Sequence, residues 1–111
     1  MPVLSTSTPI YRIDKFVIPD GARSEFLERV QQTHALLRQQ AGFVRDIVVE
    51  KDTGPAEFNF VTVVEWSGRA DMDAAGSAVA ALHKSLGFDR TAFIARTGIR
   101  ADIGNYRALE I

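Results

Sequence analysis

Between Phe58 and Trp66 the chain is apolar on both of the faces that an extended strand presents. Alternate side chains of a strand point to opposite sides. One side therefore carries Phe58, Phe60, Thr62, Val64 and Trp66, and the other Asn59, Val61, Val63 and Glu65. Phe43–Glu50 repeats the pattern, with Phe43, Ile47 and Val49 on one face and Val44 and Val48 on the other. A sheet built round such strands needs cover on both sides. The chain has 111 residues with which to supply it, which is one domain's worth of core and not two.

The remaining segments set the order of elements. Ile10–Ile18 is rich in β-branched and aromatic residues and stops at Pro19, as a strand does. Asp20 is placed to cap a helix running to Gln40, whose buried stripe is Leu27, Val30, His34 and Leu37, flanked by Ala22 and Phe26. Gly42 ends that helix. Asp52-Thr53-Gly54-Pro55-Ala56 is a turn cluster joining the two central strands into a hairpin. Ser67 is placed to cap a second, alanine-rich helix with its stripe at Met72, Ala75, Val79, Leu82 and Leu86, ended by Gly87. A short helix follows from Asp89 to Gly98, and a last strand from Ile99 to Leu109, with a bulge or a bend expected at Gly104-Asn105. Residues 1–9, small and polar with Pro2 and Pro9, read as an N-terminal arm before a single domain over 10–111.

The order β-α-β-β-α-(short α)-β predicts an α+β fold: a ferredoxin-like βαββαβ antiparallel sheet with its helices on one face. The helices cover one side. For the other, a homodimer packed sheet against sheet is the economical cover, because a two-fold interface uses the same patch twice.

Composition removes several classes of function. Thirteen Lys+Arg against fourteen Asp+Glu leave a net charge of -1, with no basic block to hold nucleic acid or an anionic membrane. Zero cysteines exclude disulfides, thiolate catalysis and cysteine metal sites. The N-terminal segment lacks the charged and apolar regions of a signal peptide, and no apolar run is long enough to span a bilayer, so a cytoplasmic protein is expected. Phosphate-binding glycine loops, His-Glu-x-x-His and nucleophile elbows are also missing.

A few residues stand out chemically. His34 interrupts an apolar stripe, so its imidazole needs a hydrogen-bond partner. It is either a structural histidine bonded to a carbonyl or a base in a pocket between helix and sheet. Trp66, at a strand end, either packs in the core or walls a planar ligand with its N–H as donor. Arg12 and Asp14 share a face with Ile10, Phe16 and Ile18; if that face meets the helices, Asp14 is placed to orient His34, and otherwise the two form a surface ion pair. His83 lies at the margin of the second helix's stripe, where surface placement is the first expectation and a place on the pocket wall the second. The spacing of the histidines and Asp14 forms no metal motif, so no metal is expected.

Three segments carry a family resemblance: Tyr11-Arg12-Ile13-Asp14-Lys15-Phe16-Val17-Ile18-Pro19, Ala41-Gly42-Phe43-Val44-Arg45-Asp46, and Val61-Thr62-Val63-Val64-Glu65-Trp66-Ser67. Over about residues 10–109 the sequence resembles the antibiotic biosynthesis monooxygenase family of dimeric α+β barrel proteins. The resemblance implies that fold, and activities that include cofactor-independent oxygenation of aromatic polyketides and quinols as well as oxidative haem degradation. Trp66 matches the strand-end tryptophan that lines the family's pocket. Thr62 stands where the polyketide oxygenases carry an asparagine. Asp14 stands at the first-strand asparagine position of the haem-degrading members, and Gly76 where their iron-ligating histidine falls, with His83 seven residues further.

The function expected from these readings is a cofactor-free reaction of an electron-rich aromatic substrate with dioxygen. His34, assisted by Asp14, is the base; Trp66 and Thr62 hold the developing oxyanion; Phe16 and Phe60 enclose the rings, with Arg12 and His83 nearby. The alternatives are a non-catalytic, ligand-binding or stress-associated barrel protein, and a haem protein using His83 or His34.

Overall fold

The computed structural model describes residues 8–111, so most of the expected N-terminal arm lies outside the described residues. Strands β1 (Ile10–Val17), β2 (Phe43–Glu50), β3 (Phe60–Trp66) and β4 (Arg100–Tyr106) form one antiparallel sheet in the order β2-β3-β1-β4. Helices α1 (Arg23–Leu37), α2 (Arg69–Leu86) and α3 (Arg90–Thr97) complete the ferredoxin-like α+β arrangement. Among the described residues no helix is long and apolar enough to cross a membrane.

The strand faces sort as the pleat requires. Ile10, Arg12, Asp14 and Phe16 stand opposite Trp66, Val64, Thr62 and Phe60, and these eight side chains form the wall that meets the helices. The opposite face of the sheet carries Ile13, Val17, Val61 and Val63 with Ile47 and Val49, the last two 55% and 43% exposed.

One irregularity changes the reading of β2. Phe43 pairs with Trp66 and Arg45 with Glu65, so Val44 is an extra residue in the ladder. Such a bulge reverses the face of everything that follows relative to what precedes it. Phe43 is therefore not on the face of Ile47 and Val49. It turns to the helices and meets the Trp66 ring edge-on at 5.8 Å, and Asp46 and Val48 share its side. Of the bulge or bend expected at Gly104-Asn105, the bulge is not there, since β4 pairs with β1 without a break in register.

Two expected caps are also replaced. Asp20 opens a single 3₁₀ turn, Asp20–Ala22, and its side chain caps nothing; α1 begins from Ala22. Gly68, not Ser67, is the N-cap of α2, and the Ser67 hydroxyl donates instead to Asp71 Oδ2 at 2.9 Å. Asp89 does cap α3, accepting from the Ala92 N–H at 3.1 Å. The loop before β3 is longer than the turn cluster alone, and the Asn59 amide closes it by bonding both the N–H and the carbonyl of Ile18 at 2.8 Å.

Gly42 is required twice over at the α1–β2 junction. Its φ is +80°, a region that disfavours any side chain, and a Cβ there would collide with the Asp71 carboxylate. The Gly42 carbonyl in turn accepts from the Ser67 N–H at 2.8 Å, tying the start of β2 to the end of β3.

Candidate functional site

The buried apolar residues fall into two groups. Phe16, Ile18, Ala22, Phe26, Phe60, Phe93 and Ile99 pack at one end of the sheet, and Ile10, Val64, Trp66, Met72 and Ala75 at the other. Between them the sheet presents the polar side chains of Arg12, Asp14 and Thr62, which cannot fill the gap as apolar groups would. A cavity of about 370 Å³ results, roofed by α1 and α2 and bounded by α3. It is of the size that takes a small organic ligand. The alanine-rich face of α2 is what leaves this room, because Ala75, Gly76 and Ala80 line it where longer side chains would fill it.

His34 lies in the cavity wall and is 6% exposed. Its Nδ1 is 2.8 Å from Asp46 Oδ2. An ionised carboxylate only accepts, so Nδ1 carries the hydrogen; in the neutral imidazole Nε2 is the nitrogen with the free lone pair. Arg38 Nη2 also reaches Asp46 Oδ2, at 2.9 Å. Burial pushes the Asp46 carboxyl upward, but the hydrogen bonds from His34 and Arg38, and then their charges, outweigh it and hold it below its ordinary value. This stabilisation is complete at neutral pH and is lost only as pH falls through that lowered value.

The partner of His34 is therefore Asp46, one residue in from the bulge, and not Asp14 as expected from the sequence. Asp14 faces the same cavity from β1, where its carboxylate takes the Arg12 Nε–H at 2.7 Å. The expectation that this face of β1 meets the helices holds; the partnership differs because the β2 bulge brings Asp46 directly beneath α1. An acid between Phe43-Val44 and Ile47-Val48-Val49, well inside the strand, was the available signal.

Trp66 and Thr62 line the cavity and are 2% and 4% exposed. Among the described residues neither the indole N–H nor the threonine hydroxyl has a hydrogen-bond partner. Phe16 lines the cavity, but Phe60 does not: it packs against Phe26, ring centroids 5.3 Å apart. The aromatic enclosure comes instead from Phe16, Phe26, Phe88 and Phe93. His83 is half-buried and lines the cavity rather than lying on the surface, its ring edge-on to Phe88 at 4.9 Å. Among the described residues no three His, Asp or Glu side chains cluster as a metal site would require.

The arrangement joins an imidazole oriented by a carboxylate, an indole N–H and a hydroxyl on one cavity wall. Such a site can take a proton from a bound aromatic molecule and hold the charge that appears.

A family model described as antibiotic biosynthesis monooxygenase matches residues 9–82. No curated protein sequence matches the chain. Among solved structures, a variant of SnoaB, a cofactor-independent oxygenase from Streptomyces nogalater, is similar with a TM-score of 0.72 and 20% identity over 95% of this chain and 97% of that one. A protein from Shewanella loihica PV-4 described as a candidate monooxygenase gives 0.72 and 19%, over 96% and 100%. A variant of MhuD with two manganese protoporphyrin IX molecules bound per active site gives 0.68 and 16%, over 92% and 97%. At these identities the likeness is one of fold.

Proposed function

Because this chain belongs to the antibiotic biosynthesis monooxygenase family, we propose that its cavity oxygenates an electron-rich aromatic molecule of the quinol or anthrone type, using dioxygen and no bound cofactor. The observation that carries this reading is the His34–Asp46 pair, which leaves Nε2 as the basic atom in an apolar cavity shared with Trp66 and Thr62.

In this scheme His34 Nε2 removes a proton from the acidic C–H or O–H of the substrate. The Trp66 N–H and Thr62 hydroxyl hydrogen-bond the resulting oxyanion, which lowers the barrier to forming it. The anion passes one electron to dioxygen, and the radical pair recombines with formation of a C–O bond. The proton held by His34 returns to the peroxide, whose O–O bond breaks with loss of water. For an anthrone the balance is one substrate and one dioxygen to one anthraquinone and one water. Asp46 keeps the imidazole in the Nδ1–H form throughout, so it is a positioning residue.

Oxygen uptake by the metal-free protein with a panel of anthrones and hydroquinones tests this. Uptake with one quinone formed per dioxygen is the expected result. Saturable binding with no oxygen consumed would move the protein to the non-catalytic, ligand-binding class. A shift of the Soret band on titration with haem would move it toward the haem proteins, which is disfavoured because the wall position matched to their iron ligand is Gly76.

The working unit we propose is a homodimer. Ile13, Ile47, Val49, Val61 and Val63 make an apolar centre on the open sheet face, and the Arg45–Glu65 ion pair at 2.7 Å lies toward its rim, the layout of a protein interface. Wild-type protein is expected to elute at twice the chain mass in light-scattering chromatography, and Ile47→Asp at the mass of one. A wild-type monomer at micromolar concentration would end this proposal.

A further inference from the structure

The cavity has a second polar end, away from the His34–Asp46 pair, where α1, α2 and α3 converge. Arg29, His83, Phe88 and Arg90 line it. The Arg29 guanidinium stacks on the Phe88 ring, 4.2 Å from its centroid, and Phe88 is itself held by Phe93 and His83. Stacking fixes the guanidinium plane and leaves its edge for hydrogen bonding.

That charge has no direct carboxylate partner. Among the described residues no carboxylate is within ion-pair distance of Arg29 or Arg90. Glu25, one turn before Arg29, is engaged by Arg96 at 2.7 Å, and Asp89 is turned to cap α3. Arg29 Nε is shut off from water with no acceptor at all, and Nη1 has a single long bond of 3.3 Å to Gln32. Leaving a buried guanidinium donor unpaired is costly, and native structures tolerate it mainly where something else completes the site. Arg12, the third arginine on the wall, is neutralised by Asp14, so the wall's surplus positive charge is confined to this end. Burial, and then the charges of Arg90 and Arg29, hold the His83 imidazole below its ordinary range, so it adds a neutral donor or acceptor there at neutral pH.

We propose that this end is an anion subsite, in which Arg29 and Arg90 receive a carboxylate carried by the aromatic ligand, and that the substrate is therefore an aromatic carboxylic acid. A planar carboxylate matches the guanidinium fork, and the apolar wall between the two ends takes the rings. The acid group would anchor the ligand at α3 and direct the reacting carbon toward His34. This inference rests on the cavity being the aromatic site, and not on the oxygen chemistry.

Calorimetric titration with anthraquinone-2-carboxylate and with its neutral carboxamide tests it. The wild type is expected to bind the carboxylate at least tenfold more tightly. The preference should fall to threefold or less in Arg29→Gln, while Arg100→Gln, whose guanidinium faces Glu57 outside the cavity, retains it. Arg90→Gln, at an exposed position, should weaken the preference independently, and high salt should narrow it in the wild type. Equal affinity for acid and amide, a preference unchanged in both cavity variants, or failure of both probes to bind would overturn the proposal. Oxygen uptake on neutral anthrones with equal probe binding would remove the subsite and keep the oxygenase. A tenfold acid preference without uptake would do the reverse.

Discussion

His34→Ala is expected to slow oxygen uptake about a hundredfold or more, in line with the 10²–10⁴ that a positioned general base contributes. The expectation follows from what the substitution removes and what it spares. It deletes Nε2, the basic nitrogen on the cavity wall, while the Asp46 carboxylate keeps its contact with Arg38 at 2.9 Å and is not left as an unpaired charge. The variant should therefore fold, which circular dichroism would verify. Asp46→Asn separates orientation from basicity. It keeps a polar partner within reach of Nδ1 but no longer obliges that atom to carry the hydrogen, so uptake should fall by roughly tenfold to a hundredfold. The signature is spectroscopic: ¹⁵N resonances of the His34 ring should report the Nδ1–H tautomer in the wild type and a mixture in Asp46→Asn. Unchanged uptake in His34→Ala would remove the base from the proposed mechanism, whatever the tautomer.

Trp66→Ala is expected to cost about 3–5 kcal/mol of stability, the range for truncating a large buried aromatic residue. Trp66 is the largest side chain in the core to be fully enclosed. It stands between Ile10 on β1 and Phe43 on β2 in the ladder, and packs with Met72 and Ala75 of α2. Its loss would open one end of the cavity and release the edge-on contact that holds Phe43. For a domain of this length the midpoint of thermal unfolding should drop by ~10–20 °C. Trp66→Phe distinguishes packing from chemistry. It retains most of the apolar surface, so the midpoint should move much less, but it deletes the indole N–H and should slow uptake by about tenfold. A scan showing Trp66→Ala within about 1 kcal/mol of the wild type would mean that the cavity end collapses round the smaller side chain.

The fold was legible because its determinants are local and periodic. Two-residue alternation in Ile10–Val17 and Phe60–Trp66, three- and four-residue spacing in the helices, and stops at Pro19, Gly42, Gly87 and Gly98 act within a few residues of where they are written. The pocket was legible in part for the same reason, since His34 interrupts an apolar stripe and Trp66 ends a strand. Its connections were not. The Asp46 partnership depends on one extra residue at Val44, which changes no composition and breaks no pattern long enough to see, yet decides which face the acid takes. Phe60 and Phe26 were exchanged in role because whether an aromatic ring lines a cavity or packs in the core depends on how far two core clusters stand apart. The unpaired state of Arg29 and Arg90 is a property of three helices meeting, and no segment contains it alone.

The extra residue at Val44 has a bearing on how this chain can diverge. A strand with one residue fewer between Phe43 and Arg45 would still pair with β3 and still end at Glu50. Its register would be unchanged: Phe43 would still stand opposite Trp66, Arg45 opposite Glu65 and Asp46 opposite Val64, so the acid would still turn to His34. What the dyad does not survive is a pairing that takes Val44 into the ladder, because plain alternation through all eight residues would turn Arg45 inward and send Asp46 out to the open face. The dyad thus depends on Val44 standing outside the ladder, and a chain of this kind can lose that residue and keep its acid inside.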